Sequence, residues 1–436
     1  MHKYILSGFN IYMKPLLRSA QPRFIFRVST KTLCFQLIIL TILSPIFFVS
    51  CKSSAKKATD TDSSNFIIQL PANRPTSESE KKRLSFECQQ WFDTTLDKTG
   101  FNGAILVAKG GNIIFEKYKG AGHVGGKDSI NNLTSFHIAS VSKTITAMAV
   151  LKLWQDGKLD IDELFSKYFP TFNYPAVTIR TLLNHRSGLP NYLYFMEDLG
   201  WNKKEYIKNQ DVFDYLVNRK GELKNIGKPD SRFSYCNTNY ALLALLIEKV
   251  SGHSYADYLQ QQFFGPLNMK QSFVFKREDS AKVNPSYDWR GQMIPLNELD
   301  LVYGDKNIYS TVEDLLTWDQ ALRSNMVLKP EVLKQAYTPY SNERAGIRNY
   351  GLGWRMNIYP DGKKMIYHNG WWHGYNAAFI RLIEEDATIV VLGNRYSRAI
   401  YKAKNLANIF GTQYQNSEEE EGEAAPSNNN SSPRIK

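Results

Sequence analysis

Strand-like segments stand near both ends of this chain, and a long helical region separates them. Apolar and polar residues alternate on either side of a Lys-Gly-Gly-Asn turn at 109–112, which predicts a β-hairpin. Short β-rich segments return much later, at 365–367, 377–383 and 388–392. Strands this far apart share a sheet only when the chain between them packs around it. We therefore predict an α+β fold: an antiparallel sheet flanked by helices, with an inserted, mostly helical subdomain at about 160–290.

Apolar residues at helical spacing predict the helices of this fold. These helices are expected at 86–96, from Ser140 to about Gly157, at Thr178–Leu183, at Ala241–Val250 and at Ser397–Phe410. The helix after Ser140 is predicted to be amphipathic, with one apolar stripe. With 436 residues, 43% of them apolar, the chain is long enough to bury a large core.

The N-terminal segment has the layout of an export signal. Residues 1–50 contain basic residues but no Asp or Glu, and 33–50 are mostly apolar. The run Phe48-Val49-Ser50-Cys51 resembles the lipobox of bacterial lipoproteins, in which the cysteine is acylated and becomes the mature N-terminus. We predict a signal peptide at 1–50 and a tether at 51–85 lipidated at Cys51, which would anchor the protein to a membrane in the cell envelope, periplasmic or at the surface. An uncleaved signal anchor is the alternative.

The rest of the chain divides into a main domain at 86–411 and a low-complexity tail at 412–436, which we predict to be disordered. The net charge is +12, but half of this excess lies in residues 1–50, and the remainder is scattered. Nucleic acid is therefore not an expected partner. The sequence leaves the oligomeric state open.

Two cysteines of the main domain, Cys88 and Cys236, allow either one disulfide or two free buried thiols. No Cys-x-x-Cys or His-Glu-x-x-His spacing occurs, so the sequence indicates no metal site, and no motif indicates a cofactor.

Ser140 and Lys143 form the most suggestive pair in the sequence. Side chains three apart on a helix lie on one face within mutual reach, and a neutral lysine there can take the serine proton. The same spacing occurs three more times, at 53–56, 54–57 and 79–82, in a polar stretch typical of a solvated linker. Only the pair at Ser140 stands between strand-like and helical sequence.

Two further motifs offer polar side chains for the same chemistry. Tyr235-Cys236-Asn237 lies in a loop just before a predicted helix, and His368-Asn369-Gly370 ends a predicted strand. Acyl transfer needs a nucleophile, a base, a second proton carrier and donors for the oxyanion, and these three motifs contain such groups. A Gly-x-Ser-x-Gly elbow does not occur, so an α/β-hydrolase is not indicated.

The order Ser-x-x-Lys, Tyr-x-Asn, His-x-Gly resembles the serine β-lactamase and penicillin-binding superfamily, in particular class C β-lactamases, DD-carboxypeptidases and related esterases. The resemblance covers about residues 88–411. Further matching segments are Phe136–Ala139, Leu182–Leu189, Gly265–Met269, Gly304–Thr311 and Tyr350–Trp354.

The resemblance implies a role for each residue of the first two motifs. Ser140 would attack the carbonyl carbon and become acylated, and Lys143, with its pKa lowered by desolvation, would act as the base or hold the proton network. Tyr235, as phenolate or proton relay, would pass a proton to the leaving group and later activate the deacylating water. Asn237 would hydrogen-bond both Lys143 and the substrate amide.

The third motif is expected to complete the site. His368 stands where many relatives have lysine, so it would assist proton transfer or bind a carboxylate only when protonated. Gly370 and Trp371 would line the substrate site, and the backbone N–H groups of Ser140 and Trp371 would form the oxyanion hole.

The paired indoles of Trp371 and Trp372 would narrow the cleft, which favours a peptide or an ester over a bulky bicyclic β-lactam. The predicted function is a membrane-tethered serine hydrolase acting through an acyl-enzyme on an amide or ester of a small molecule or peptide: a D-amino-acid peptide of peptidoglycan type, an ester or a β-lactam. The alternative is a slowly deacylating penicillin-binding or sensor protein.

Overall fold

The computed structural model describes residues 67–411 and Tyr414. The predicted signal peptide at 1–50, the proposed lipidation site Cys51 and, apart from Tyr414, the predicted tail lie outside the described residues. Within 67–411, no helix is both long and apolar enough to cross a membrane.

The described chain contains strands and helices throughout. The strands are β1 (Gly103–Lys109), β2 (Asn112–Lys119), β3 (Phe136–His137), β4 (Phe273–Val274), β5 (Ser286–Tyr287), β6 (Met293–Ile294), β7 (Ile308–Ser310), β8 (Arg348–Tyr350), β9 (Arg355–Ile358), β10 (Lys364–Trp372), β11 (Tyr375–Leu382) and β12 (Ala387–Gly393). The α-helices are α1 (Glu78–Trp91), α2 (Ser142–Gln155), α3 (Ile179–Leu183), α4 (Tyr192–Asp198), α5 (Asn209–Asn218), α6 (Asn237–Ser251), α7 (Tyr255–Leu259), α8 (Val312–Arg323) and α9 (Pro330–Ala336). A 3₁₀ helix covers Arg398–Phe410, where the sequence predicts a helix.

The α+β prediction is confirmed. Seven strands form one antiparallel sheet in the order β2-β1-β12-β11-β10-β9-β8. The predicted hairpin supplies β1 and β2, and β1 pairs with β12 from the far end of the domain, Gly103 opposite Gly393. A glycine is needed at 103, because a Cβ there would lie 2.0 Å from the carbonyl oxygen of Leu392. Two shorter sheets, β3-β7-β4 and β5-β6, complete the β structure of the described residues.

Both faces of the large sheet are buried, because successive side chains of β1 point alternately into two different apolar cores. Leu106 belongs to the larger core, which also contains apolar residues of α2, α6 and α8. Its neighbours Ile105 and Val107 face the smaller core, shared with α1 and the C-terminal 3₁₀ helix. Because side chains alternate across a strand, a strand covered on both faces is apolar throughout. The sheet is therefore a central layer between two helical layers.

The folded part begins earlier than the sequence predicts. The tether is predicted to reach residue 85, and the first helix to begin at 86, but α1 begins at Glu78 after a side-chain cap by Ser77. Leu84 is fully buried, and the amides of Ile68 and Arg74 bond to carbonyls at 266 and 110. Most residues of α1 are polar and only Leu84 and Cys88 are buried, so the sequence shows no apolar stripe that would predict the start of the helix.

Asp319 of α8 ties that helix to the sheet. Its carboxylate accepts hydrogen bonds from Arg381, Thr388 and Arg323, and it is 1% exposed. Replacing Asp319 with alanine leaves the buried guanidinium of Arg381 without its ion-pair partner, so we expect a loss of about 3–5 kcal/mol in the free energy of unfolding. Chemical denaturation monitored by tryptophan fluorescence measures it.

The matched control is Glu197→Ala, which removes an ion pair with Lys203 in which both side chains are more than half exposed. That change is expected to cost at most about 1 kcal/mol. Equal, small losses for the two variants would contradict the assignment of Asp319 as a buried anchor.

Candidate active site

Ser140 lies in a 3₁₀ turn, Ala139–Val141, between β3 and α2. The serine therefore precedes the helix, and Lys143 is the second residue within it. Helix α2 is buried on nearly all sides rather than along one stripe, because it packs against α6 as well as against the core around the sheet. This burial fixes the position of the two side chains.

Lys143 is fully buried beside the serine. Its Nζ donates to Ser140 Oγ at 2.9 Å and to the carbonyl oxygen of Asp305 at 2.8 Å. Ser140 is 3% exposed. The sequence does not predict the contact with Asp305, which lies in the matching segment Gly304–Thr311, because a backbone carbonyl has no residue-type signal. The arrangement places an amine within hydrogen-bonding distance of a serine hydroxyl in a desolvated site.

The loop before α6 brings Tyr235 to the same place. Lys143 Nζ lies 5.0 Å from the centroid of the Tyr235 ring. Asn237 is the first residue of α6 and is 5% exposed. Its predicted hydrogen bond to Lys143 stays a prediction.

His185 holds this loop in position. Its Nδ1 accepts from the backbone N–H of Cys236 at 3.2 Å, and its ring centroid is 4.3 Å from that of Tyr235. Burial, followed by the positive charge of Lys143, lowers the pKa of His185 well below its usual value. A neutral ring is the form that can accept the amide bond. Cys236 and Cys88 are both free and buried, so of the two alternatives the structure has the free thiols.

His368 differs from its prediction in two respects. It lies inside β10 rather than at the end of a strand, because pairing with β11 continues to Trp372 opposite Tyr375. The ring is fully buried, with Nδ1 2.7 Å from the carbonyl oxygen of Asn369 and Nε2 3.3 Å from Tyr350 Oη. Burial, with the charges of Arg355 and Lys143, lowers its pKa well below the usual value. The protonated form, the only one expected to bind a carboxylate, is therefore disfavoured.

Arg355 of β9 is the cation that the sequence analysis missed. Its guanidinium carbon lies 5.0 Å from the centroid of the Tyr235 ring, so both Arg355 and Lys143 lie against this tyrosine. The signal that could have revealed it is its place directly after the noted segment Tyr350–Trp354. Nothing in the sequence alone aligns β9 with the loop that carries Tyr235.

Gly370 lets β10 run against the turn that carries Ser140. A Cβ at Gly370 would lie 2.4 Å from the carbonyl oxygen of Ile138 and 3.1 Å from the backbone nitrogen of Ser140. Any larger residue would push the strand away from the serine. Trp371 follows directly in the strand.

The indole N–H groups of Trp371 and Trp372 donate hydrogen bonds to different acceptors. Trp371 Nε1 donates to the carbonyl oxygen of His373 at 2.8 Å, and Trp372 Nε1 donates to Asp300 Oδ1 at 2.6 Å. Both tryptophans are partly exposed. Among the described residues, no group of three or more His, Cys, Asp or Glu side chains is placed to hold a metal ion.

Taken together, these residues can carry out acyl transfer. A serine hydroxyl bonded to a buried amine, a nearby phenol and a strand backbone against the serine amide are the parts such a reaction uses. His368 adds a neutral ring, and Arg355 adds positive charge near the phenol.

Comparisons with known proteins agree with this geometry. The model of the beta-lactamase family matches residues 88–412. Penicillin-binding protein 4* of Bacillus subtilis is 32% identical over 348 residues, which cover 75% of this chain and 76% of that protein. The putative penicillin-binding protein PbpX of the same organism is 28% identical over 64% of this chain and 68% of its own length. The crystal structure of a penicillin binding protein from Bacillus halodurans superposes with a TM-score of 0.64 at 24% identity, covering 73% of this chain and 98% of that one.

Proposed function

This chain belongs to the beta-lactamase family of serine hydrolases, and from its site we propose that it cleaves an amide or ester through an acyl-enzyme on Ser140. The observation that carries the proposal is the 2.9 Å hydrogen bond between Lys143 Nζ and Ser140 Oγ in a buried site. A serine hydroxyl becomes an effective nucleophile only when an adjacent base takes its proton.

In the proposed first step, a neutral Lys143 amine accepts the proton of Ser140 as Oγ bonds to the carbonyl carbon of the substrate. The carbonyl oxygen becomes an oxyanion, which the backbone N–H groups of Ser140 and Trp371 stabilise. The intermediate collapses when the bond to the leaving group breaks and a proton passes to that group through Tyr235. An ester on Ser140 remains.

In the proposed second step, the oxygen of a water molecule bonds to the ester carbonyl carbon while a proton of that water passes through Tyr235 to Lys143. The bond between that carbon and Ser140 Oγ then breaks, Lys143 returns the proton to Oγ, and a carboxylic acid is released. The Arg355 guanidinium lies against the Tyr235 ring, and so does the Lys143 amine, which becomes a cation when it takes a proton. They would stabilise negative charge that develops on the phenol oxygen as it gives up its proton. His368 is disfavoured as a cation by burial, so the positive charge for an anionic substrate group would come from Arg355.

The proposed substrates are a D-amino-acid peptide of peptidoglycan type, an ester or a β-lactam. A second candidate, slow deacylation of a penicillin-binding or sensor protein, is supported by the names of the two Bacillus subtilis relatives, which describe penicillin binding. The same adduct forms in both cases, and only its lifetime differs.

We also propose that the protein is exported and held at the membrane by a lipid on Cys51. The basic, acid-free leader and the apolar segment before Cys51 support this. A Cys51→Ala variant that stays in the membrane fraction, with an unchanged N-terminal peptide mass, would contradict lipidation at this residue.

Intact-protein mass spectrometry tests the reaction. We expect the protein, mixed with a panel of β-lactams, D-Ala-D-Ala peptides and p-nitrophenyl esters, to gain the mass of one acyl group from at least one of them. An adduct that disappears within seconds identifies a hydrolase, and one that persists identifies the slow binder.

The control is Ser140→Ala, which leaves the fold and Lys143 in place but has no nucleophile. An equal adduct on this variant, or none on the wild type with any member of the panel and with a fluorophosphonate probe, would overturn the proposal.

A further inference from the structure

A buried chain of hydrogen bonds begins at the residue before Ser140. The backbone N–H of Ala139 donates to His137 Nδ1 at 3.0 Å, and His137 Nε2 lies 2.9 Å from Asn307 Oδ1. Because Nδ1 accepts, the ring proton sits on Nε2 and is donated to Asn307. Burial lowers the pKa of His137 to about 4, which keeps the ring neutral and Nδ1 free to accept.

The chain continues from Asn307 to the tip of the hairpin between β10 and β11. Asn307 Nδ2 donates to the carbonyl oxygen of Asp300 at 2.5 Å. The carboxylate of Asp300 accepts from Trp372 Nε1 at 2.6 Å and lies 3.0 Å from His373 Nε2. Asn307 is 1% and Asp300 3% exposed, so water does not compete for these bonds.

Three members of this chain have strained backbones. Ala139, Asn307 and His373 have φ angles of +48°, +74° and +51°. Such angles are strained for residues other than glycine, and they persist where the surrounding contacts hold them. For each of these residues the hydrogen bonds described above involve its own backbone or side chain. The hydrogen bonds of the network therefore keep these three residues at positive φ angles, which the backbone would not adopt without them.

The two ends of the network adjoin the two proposed oxyanion donors. Ala139 directly precedes Ser140, and Trp372 directly follows Trp371. The two segments also touch where Gly370 passes Ser140, with a Cβ at Gly370 falling 3.1 Å from the Ser140 nitrogen. A shift of either segment would change the distance between the backbone N–H groups of Ser140 and Trp371, both of which are proposed to bond the same substrate oxygen.

We propose that Asn307 and Asp300 are positioning residues that hold the amides of Ser140 and Trp371 at the spacing an oxyanion requires. This inference rests on the proposed acyl-transfer function. Neither residue touches the reacting atoms; each acts through a bonded segment, Asn307 through His137 and Asp300 through Trp372.

Asn307→Asp tests the proposal with almost no change of volume. The retained oxygen can still accept from His137, but the new oxygen stands in the place of Nδ2 and cannot donate to the carbonyl of Asp300. We expect kcat for an ester to fall about 10- to 100-fold, less than the 10²- to 10³-fold lost with an outright missing donor. KM should stay within about twofold, because the site that binds the substrate is untouched.

A second readout distinguishes positioning from general loosening. An N–H group bonds oxygen better than sulfur, so an intact oxyanion hole favours an ester over the matching thionoester. The ratio of kcat/KM for the two substrates should fall towards one in Asn307→Asp. Asp300→Asn, which keeps the backbone carbonyl and weakens the bonds from Trp372 and His373, should lower the same ratio if Asn307→Asp folds poorly.

Asn209→Asp is the matched control. Asn209 is also 1% exposed; its Nδ2 donates to the carbonyl oxygens of Ala241 and Tyr303, and its Oδ1 accepts from the amide of Tyr303. This variant should lose stability but keep the wild-type substrate ratio. A wild type that forms no acyl-enzyme would defeat the proposed function; an active wild type whose ratio Asn307→Asp and Asp300→Asn both leave unchanged would defeat this inference alone.

Discussion

Replacing Lys143 with methionine is expected to lower kcat/KM about 10⁴-fold, whichever ester or amide proves to be the substrate, while the protein stays folded. The loss arises because Ser140 Oγ no longer has the Lys143 amine, 2.9 Å away, to take its proton. A positioned base increases the rate by up to about 10⁴-fold. Methionine has a similar length and takes a polar group away from a fully buried position, so the substitution adds no cost of desolvation.

The measurement is steady-state turnover together with thermal unfolding of the same preparations. Lys152→Met, on the same helix but in an ion pair with Asp156 near the surface, should leave turnover unchanged. Lys143→Arg keeps a positive charge that cannot be given up, so it should be as inactive as Lys143→Met if the side chain acts as a base. Full activity in a folded Lys143→Arg variant would assign Lys143 an electrostatic role instead.

Acid is expected to unfold this protein well above the pH at which carboxylates titrate. His137, His185 and His368 are buried, and burial is the largest cause of the lowered pKa of each. The unfolded chain binds protons at these sites below about pH 6.5, while the folded protein does not. Stability is therefore complete above that pH and falls as the pH drops towards the folded pKa values.

Between pH 7 and pH 5 each such histidine costs roughly 2 kcal/mol, and the three together about 6 kcal/mol. Denaturant unfolding at a series of pH values measures this slope. His185→Gln should reduce the slope by about a third, whereas His253→Gln, at an exposed position, should not change it. A stability that is flat from pH 7 to pH 5 would contradict the neutral, buried state of these rings.

Local patterns in the sequence predict the main strands and helices of the fold. The hairpin turn at 109–112, the β-rich segments after 365 and the helix after Ser140 each reflect short-range periodicity. The two-residue strand β3 and the short strands β8 and β9 have too few residues to show any period. Strand β3 forms only because the distant β7 pairs with it, Phe136 opposite Ser310, and no local pattern reveals that partner; β8 and β9 pair with strands nearby in sequence.

The same distinction divides the candidate site. The spacing of Ser140 and Lys143 is local, so their contact could be predicted from helix geometry alone. The carbonyl of Asp305, the guanidinium of Arg355 and the burial of His368 belong to segments far from Ser140 in sequence, which the fold brings close to Lys143 and Tyr235. The sequence therefore predicts a pH-dependent charge on His368, because it does not reveal the strands that bury this ring.

The pairing of β1 with β12 also sets the order of events during synthesis. On a ribosome that adds about 5–20 residues per second, β1 waits on the order of tens of seconds before its partner emerges. Until then the edge of β1 that pairs with β12 has no strand beside it. The turn that carries Ser140 lies against Gly370 of β10, so it can take its final shape only after that late strand has been made.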